Sequence, residues 1–405
     1  MKKIIIIASI LIISLLIIIG AFLIFKKINI QGQSLVEKGS VLQKDFKEEI
    51  SFTIENGWTI IPVEIDGKKY KFILDTGALN IVSLELAKEL NLNIIGNHNG
   101  ISSTGNSQTI DLAEVPNVNI GGVEFVNTTT AILDIKNQFK CSNIDGLIGS
   151  NLMKNAIWKV DNKNKKIILT NSVDKLNLKN FNDKVSFSTN KQANPYFNLE
   201  FGNVNIKTLF DTGHNGKILV NNNFLNSIPN SLVKQKIEFK GSSSQGIFKE
   251  GIDSTSNVTH TKIELFKINE IGFKNQITTF TKGDSKIGNS FFSNYNYIVD
   301  WNQKLLFLEE FEERKNQDYV SYGFGKILRD KTVSITEIMR GSNAYKLLKI
   351  GDQIIEYNGK DWSSINQSEW CEYVKDKEWP EILNMKVLRD EKIIDIQIKK
   401  ETFIE

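Results

Sequence analysis

The chain contains the stretch Phe72-Ile73-Leu74-Asp75-Thr76-Gly77, in which a hydrophobic run ends in Asp-Thr-Gly. The pattern returns as Leu209-Phe210-Asp211-Thr212-Gly213, with the two aspartates 136 residues apart. One carboxyl at the end of a buried strand is only an acid, but two that face each other do not readily both ionise. Such a pair shares a proton, so it supplies a base and an acid together and can activate a water molecule. The doubling therefore predicts that Asp75 and Asp211 act as a catalytic pair.

The surroundings of the two motifs repeat as well. Ile148-Gly149 follows the first motif and Ile287-Gly288 follows the second, and the two glycines are 139 residues apart. The same spacing separates Asp161 and Asp300, which we predict to be turn-forming residues whose side chains bond to nearby backbone amides. Equal spacing at several points is typical of a duplicated structural unit.

The pattern of residues from Gly57 onward is that of a mainly β protein. Short runs rich in Ile, Val, Phe and Thr alternate with turn signals such as Asp66-Gly67. Helices are predicted at Ser83 to Leu90, where Ser83 can cap, and at Gln367 to Lys375. Two Gly/Ser-rich loops in matching places, Gly100 to Gly105 and Gly241 to Gly246, are candidate flaps over a bound peptide.

Composition excludes several classes of function. The 405 residues carry a net charge of only +3, and no basic stripe with interleaved aromatic residues indicates nucleic-acid binding. With three histidines and no cysteine cluster, neither a metal site nor a cofactor is predicted. His98 and His260 lie in polar surroundings, so we expect them to be exposed rather than ligands. Cys141 and Cys371 fall in segments assigned to different domains, and both are expected to be reduced, buried small hydrophobes.

The amino-terminal segment predicts a membrane anchor. An apolar run of 22 residues without a charge extends from Ile4 to Phe25 between two lysine pairs. This length spans a bilayer as a helix and exceeds the apolar stretch of most cleavable signal peptides, which is the alternative. The lysines at positions 2 and 3 favour an amino end inside the cytoplasm, with the body of the chain outside it.

The paired Asp-Thr-Gly motifs, each followed by Ile-Gly, resemble those of the aspartic protease superfamily over about Gly57 to Glu310. The chain looks like two retropepsin halves fused together. The resemblance implies the following roles: catalysis by Asp75 and Asp211, interlocking of the two loops by Thr76 and Thr212, and close backbone approach at Gly77 and Gly213. His214 departs from the small residue that commonly follows the motif, whereas Ala78 conforms. A histidine there either hydrogen-bonds Asp211 or points outward without effect.

A second resemblance covers Tyr322 to Lys399, which is similar to a PDZ domain of the bacterial type. Gly323-Phe324-Gly325 matches the loop whose amides bind a peptide's terminal carboxylate or the end of a strand. Gly351-Asp352 and Asn358-Gly359 match the pair of turns late in such domains. The resemblance implies that peptide C-termini or strands are partners of this domain.

These observations predict a mainly β fold: a bilobal aspartic protease built from two duplicated β units, a small PDZ-type β domain with two short helices, and an amino-terminal transmembrane helix. The predicted boundaries are 1–27 for the anchor, 28–50 for a polar tether, 51–172 and 173–313 for the two lobes, and 319–402 for the PDZ domain.

The resulting hypothesis is a bacterial, membrane-anchored aspartic endopeptidase that cleaves polypeptides outside the cytoplasm, at the cell surface or in the periplasm. The PDZ domain would recruit or gate the substrate. The alternative is a catalytically inactive peptide-binding or scaffold protein that acts through the PDZ domain. A unit that works only as a homodimer is disfavoured, because one chain already supplies both aspartates.

Overall fold

A computed structural model describes residues 19–20, 34–102, 107–241, 257–313, 318–376 and 379–405. The predicted anchor lies outside this part of the chain except for residues 19–20. Among the residues that the structure describes, no helix combines the length and hydropathy needed to cross a membrane. Both candidate flaps also fall partly outside the described ranges. The anchor and the flaps therefore stay predictions.

The first unit, residues 34–172, is built almost entirely of strands, in agreement with the predicted fold class. Its strands are β1 (Ser40–Val41), β2 (Lys47–Ser51), β3 (Thr53–Glu55), β4 (Trp58–Ile65), β5 (Lys68–Asp75), β6 (Ile81–Ser83), β7 (Ile94–Ile101), β8 (Ser107–Ile120), β9 (Val123–Leu133), β10 (Gly146–Gly149), β11 (Ile157–Asp161) and β12 (Lys166–Thr170). The helices are α1 (Leu84–Glu89) and α2 (Ser150–Met153). The helix predicted after Ser83 is confirmed, since the Ser83 hydroxyl accepts a hydrogen bond from the Leu86 amide at 3.1 Å.

The Asp-Thr-Gly motif follows a strand held between two neighbours. β5 pairs in parallel with β10, and Gly149 lies opposite Asp75 in this register. β10 in turn pairs with β6 in antiparallel fashion. A Cβ atom on Gly149 would lie 2.1 Å from the carbonyl carbon of Leu79, so only glycine allows the chain after the motif to pack against β10.

The second unit, residues 173–313, repeats these pairings. Its strands are β13 (Asp183–Ser186), β14 (Ser188–Thr189), β15 (Pro195–Phe201), β16 (Val204–Asp211), β17 (Ile218–Asn221), β18 (Val233–Gly241), β19 (Asn257–Ile268), β20 (Ile271–Thr281), β21 (Lys286–Gly288), β22 (Tyr295–Asp300) and β23 (Leu305–Glu310). β16 pairs in parallel with β21, and Gly288 lies opposite Asp211 as Gly149 lies opposite Asp75. The repeated spacing in the sequence thus corresponds to a repeated strand register.

A six-stranded sheet joins the two units, in the order β13-β23-β22-β11-β12-β2. Its central pair is β11 with β22, one strand from each unit. Trp158 and Tyr297 are fully buried and belong to a hydrophobic core with residues from both units. The predicted turn formers lie at the ends of these strands, where Asp161 accepts from the Asn164 amide at 2.9 Å and Asp300 accepts from the Asn302 amide at 2.9 Å.

The described part of the segment predicted as a tether, residues 34–50, differs from that prediction. Strand β2 pairs along its length with β12, and Phe46 and Ile50 are buried in the main core. The segment is polar overall because the other side chains of this edge strand face solvent, as the alternation of a strand requires. The predicted domain boundaries themselves stay predictions.

The carboxy-terminal unit, residues 318–405, is a smaller β structure with its own core. Its strands are β24 (Tyr319–Ser321), β25 (Phe324–Arg329), β26 (Thr332–Met339), β27 (Gln353–Tyr357), β28 (Lys360–Asp361), β29 (Ile382–Arg389), β30 (Lys392–Lys399) and β31 (Glu401–Ile404). The helices are α3 (Asn343–Leu347) and α4 (Gln367–Lys375), the second with the predicted bounds. Asn366 caps α4 through a capping box with Glu369.

The expectation for the two cysteines is wrong. Cys141 of the first unit and Cys371 of α4 form a disulfide between residues 230 positions apart, with their Cα atoms 5.1 Å from each other. The sequence argument failed because it treated domains as separate bodies, whereas the carboxy-terminal unit packs against the first unit. Within the chain-entropy account, closing a loop of this length stabilises the fold by about 5 kcal/mol.

Candidate active site

Asp75 and Asp211 end the two equivalent strands β5 and β16 and meet at the junction of the two units. Their exposed fractions are only 6% and 7%. A Cβ atom on Gly77 would lie 2.6 Å from the Asp211 carboxyl carbon, and one on Gly213 would lie 2.2 Å from that of Asp75. Each glycine therefore lets its loop pack directly on the opposite aspartate, and the two carboxyls come within hydrogen-bonding contact.

The two threonines lock the loops together through four hydrogen bonds. The amide of Thr76 donates to Oγ1 of Thr212 at 3.0 Å, and the amide of Thr212 donates to Oγ1 of Thr76 at 3.1 Å. Each hydroxyl then donates across the junction, from Thr76 to the Phe210 carbonyl at 2.6 Å and from Thr212 to the Leu74 carbonyl at 2.8 Å. Because both threonines are fully buried, this network fixes the relative position of the two carboxyls.

The two aspartates differ in their further partners. Asp75 Oδ1 accepts from the Gly77 amide at 2.8 Å, and Asp211 Oδ1 accepts from the His214 amide at 3.0 Å. Asp211 Oδ2 additionally lies 3.2 Å from the ammonium group of Lys286. Only 12% of the Lys286 side chain is exposed, so this ion pair is shielded from water. The repeat in backbone structure is thus broken by one positive charge.

This difference separates the acidities of the two carboxyls. Burial, reinforced by the charge of Asp211, raises the pKa of Asp75 to about 8. Burial by itself acts to raise the pKa of Asp211 as well, but the charge of Lys286, together with His214 and hydrogen bonds, holds that pKa below its usual value. Near neutral pH, Asp75 therefore carries the shared proton and Asp211 is ionised.

Lys286 is the residue of this site that the sequence analysis did not identify. It lies opposite Leu209 in the β16–β21 register, where the first unit has Leu147 opposite Ile73. The signal was present, because aligning Lys286-Ile287-Gly288 with Leu147-Ile148-Gly149 places a lysine where its duplicate has leucine. A charged residue at an otherwise apolar strand position indicates a specific partner.

His214 follows neither of the two alternatives considered for it. Its backbone amide, rather than its ring, is the donor to Asp211. The ring packs inside the second unit, where a Cβ atom on Gly216 would lie 2.6 Å from Nε2 and one on Gly288 would lie 2.5 Å from Cδ2. Within the described part of the chain, Nε2 has no hydrogen-bond partner. Burial and then the charge of Lys286 lower the pKa of His214 to about 4, so the ring is neutral at neutral pH.

The other two histidines are not exposed, contrary to expectation. His260 lies on β19 and stacks on Tyr319 at 4.8 Å between ring centroids, with Nδ1 2.9 Å from the Thr279 hydroxyl. His98 lies on β7 with Nε2 3.1 Å from Gln192 Nε2, and it is half-buried. Both belong to strands that pack against other parts of the molecule, which residue type alone does not indicate. Among the described residues, no group of three or more histidine, cysteine, aspartate or glutamate side chains could hold a metal ion.

The paired carboxyls open into a large cleft with a volume of about 1510 Å³. The first unit lines it with residues that include Leu79, Ile110 and Phe139, and the second unit with Tyr196, Asp284 and Lys286. Ile327 of strand β25, in the carboxy-terminal unit, lines the same cleft. A space of this size, with mixed apolar and polar walls, accommodates several residues of an extended peptide.

The predicted peptide loop lies in the carboxy-terminal unit, apart from the two aspartates. Gly323 has a φ of +78°, and a Cβ atom there would lie 2.8 Å from the Ser342 hydroxyl oxygen. Its amide donates to the Ser321 hydroxyl at 3.1 Å, so this donor already has a partner. Phe324 packs into the core of the unit, and Gly325 lies against the side chain of Glu337. A ligand at this loop would have to displace the serine or use the remaining amides.

Comparison with known proteins gives two family matches. Residues 61–152, which include the first Asp-Thr-Gly motif and Ile148-Gly149, match the family model described as aspartyl protease. Residues 312–387 match the model of the PDZ domain. Among solved structures, the chain is similar to basic 7S globulin from soybean, with 9% identity and a TM-score of 0.40 over 66% of this chain and 95% of that one. No curated protein sequence matches the chain. The chain therefore contains an aspartyl protease domain followed by a carboxy-terminal PDZ domain.

Proposed function

We propose that this protein is an aspartic endopeptidase that hydrolyses peptide bonds in extended polypeptides. The observation that carries the proposal is the pair of buried carboxyls, Asp75 and Asp211, which are held in contact by the interlocked threonines. Two carboxyls in this arrangement bind one water molecule between them and need no covalent intermediate. The family match to an aspartyl protease supports the same chemistry.

The asymmetry of the pair assigns a role to each member. Asp211, ionised beside Lys286, takes a proton from the attacking water. Asp75, which holds the shared proton, hydrogen-bonds to the oxygen of the scissile carbonyl and polarises it. When the tetrahedral intermediate collapses, the proton that Asp211 received passes to the leaving nitrogen, and the peptide bond breaks. Lys286 favours the ionised state of Asp211 and acts as a positioning residue.

A second candidate function is a noncatalytic peptide-binding scaffold. The ion pair between Lys286 and Asp211 favours it, because a cation bound to one carboxyl competes with the protons that catalysis has to move. In that case the cleft and the PDZ domain would bind polypeptides without cleaving them. The PDZ match supports peptide binding under either function.

The location is part of the proposal. The apolar run from Ile4 to Phe25 would anchor the protein, with the protease outside the cytoplasm. The disulfide between Cys141 and Cys371 supports this location, because such bonds persist in oxidising compartments.

Cleavage of an unfolded, alkylated protein by the full-length chain tests the proposal. We expect wild-type cleavage to be blocked by a statine-type peptide, which mimics the tetrahedral intermediate. Asp75→Asn and Asp211→Asn should each abolish cleavage while circular dichroism shows the fold unchanged. Cleavage that persists in both variants would exclude the dyad. A wild-type protein that binds the unfolded protein without cleaving it at any pH would establish the scaffold function instead.

A further inference from the structure

The PDZ domain is joined to the second protease unit by a continuous sheet. Strand β18 pairs with β26 in antiparallel fashion, with Lys240 opposite Ile338. A Cβ atom on Gly241 would lie 2.1 Å from the Thr336 carbonyl oxygen, so glycine is needed where the two strands meet. Outside the strands, the Arg340 amide donates to the Glu238 carbonyl at 2.8 Å. Backbone pairing of this kind fixes the orientation of the domain as well as its position.

The same domain is bonded covalently to the first protease unit. Cys371 lies on α4 of the PDZ domain, and its partner Cys141 follows the segment that lines the cleft through Phe139. The Gln367 amide group, one turn before Cys371, lies 3.2 Å from its sulfur. The PDZ domain thus connects both sides of the protease cleft and takes a fixed place beside it.

Strand β25 is the part of the PDZ domain that reaches the cleft. Among the described residues it pairs only with β26, so its other edge has backbone groups free to accept another strand. Leu328 packs against the core of the domain, whereas its neighbour Ile327 lines the cleft that contains Asp75 and Asp211. Alternation along the strand places these two side chains on opposite faces.

We propose that β25 is an outer wall of the protease cleft and that a single extended polypeptide occupies both, pairing with the β25 edge while a nearby residue lies at the dyad. The inference deepens the proposed function, because it rests on an extended polypeptide entering the cleft. The partner is an unfolded segment long enough to reach from the dyad to β25. Backbone pairing accepts many sequences, and contact with Ile327 favours an apolar side chain at that point of the substrate.

Binding without turnover tests this inference separately from catalysis. The probes are fluorescein-labelled peptides of about 6 and about 14 residues from the oxidised insulin B chain, which extend over about 20 Å and about 48 Å. Affinities for the full-length chain carrying Asp75→Asn are measured by fluorescence anisotropy. We expect Ile327→Asp to weaken the longer peptide about tenfold, the scale of one lost buried apolar contact, and the shorter one less than threefold.

The matched control is Ile393→Asp. Ile393 is an isoleucine of the same domain that lies on β30 with 62% of its surface exposed. We expect this variant to bind both peptides like the parent protein. Ile327→Ala, which adds no charge, is the second variant if Ile327→Asp does not fold, and it should weaken the longer peptide alone.

Equal effects of Ile327→Asp on both peptide lengths, or none, would overturn the inference, as would an equal effect of Ile393→Asp. Length-dependent binding at Ile327 in a wild-type protein that never cleaves would support the shared cleft and exclude the endopeptidase. Cleavage by the wild type without any role for Ile327 would do the opposite.

Discussion

Lys286 Nζ lies 3.2 Å from Asp211 Oδ2, and no such cation accompanies Asp75, whose duplicated neighbour strand has Leu147 at the equivalent position. A symmetric pair of carboxyls leaves it open which one holds the proton. A single lysine on one side removes that degeneracy, because the ionised form of the nearer carboxyl gains most from its charge.

Replacing Lys286 by methionine should move the acidic limb of the kcat/KM profile to higher pH by about one unit or more. The reason is that Asp211 must be ionised to accept a proton from water, and its pKa rises when the neighbouring charge is lost. Lys286→Arg keeps the charge and should keep the limb near its original position. Higher activity of Lys286→Met at every pH would show instead that the lysine obstructs the dyad.

Asp75→Asn should stabilise the fold at alkaline pH, even as it abolishes cleavage. The folded-state pKa of Asp75 is raised to about 8, so the folded protein favours the protonated carboxyl. Its contribution to stability is therefore present in acid and is lost as pH rises from the pKa of the unfolded chain towards about 8. Urea unfolding at several pH values measures this, with the exposed Asp390→Asn as control. A stability gain that is constant with pH would contradict the prediction.

Thr212→Val should destabilise the protein and reduce cleavage. The substitution leaves the Thr76 amide and the Leu74 carbonyl without their partner, at roughly 1–3 kcal/mol for each buried group. Thr212→Ser retains the hydroxyl and should recover most of the stability and activity. Chemical denaturation and kcat measured together are the readouts, and a valine variant as active as the serine variant would show that the loops are held by other contacts.

Reduction of the disulfide should lower stability and weaken the binding of long peptides more than that of short ones. Replacing Cys141 and Cys371 together by serine removes a constraint worth about 5 kcal/mol in the entropic account. The double variant should also be insensitive to reductant, which makes it the control for reductant effects elsewhere. Denaturation curves and peptide anisotropy with and without dithiothreitol measure both effects. Identical curves for the oxidised and reduced wild type would show that sheet pairing alone holds the PDZ domain.

The sequence by itself determined what depends on local chemistry. Asp-Thr-Gly occurring twice at a regular spacing indicated the duplicated strand register, and capping residues fixed helices α1 and α4, because a cap acts within one turn of the chain. Tertiary structure alone decided which distant groups meet: Lys286 with Asp211, Cys141 with Cys371, and Ile327 with the protease cleft. These contacts join elements whose packing depends on the whole fold, and neither residue of a pair carries a local signal that names its partner.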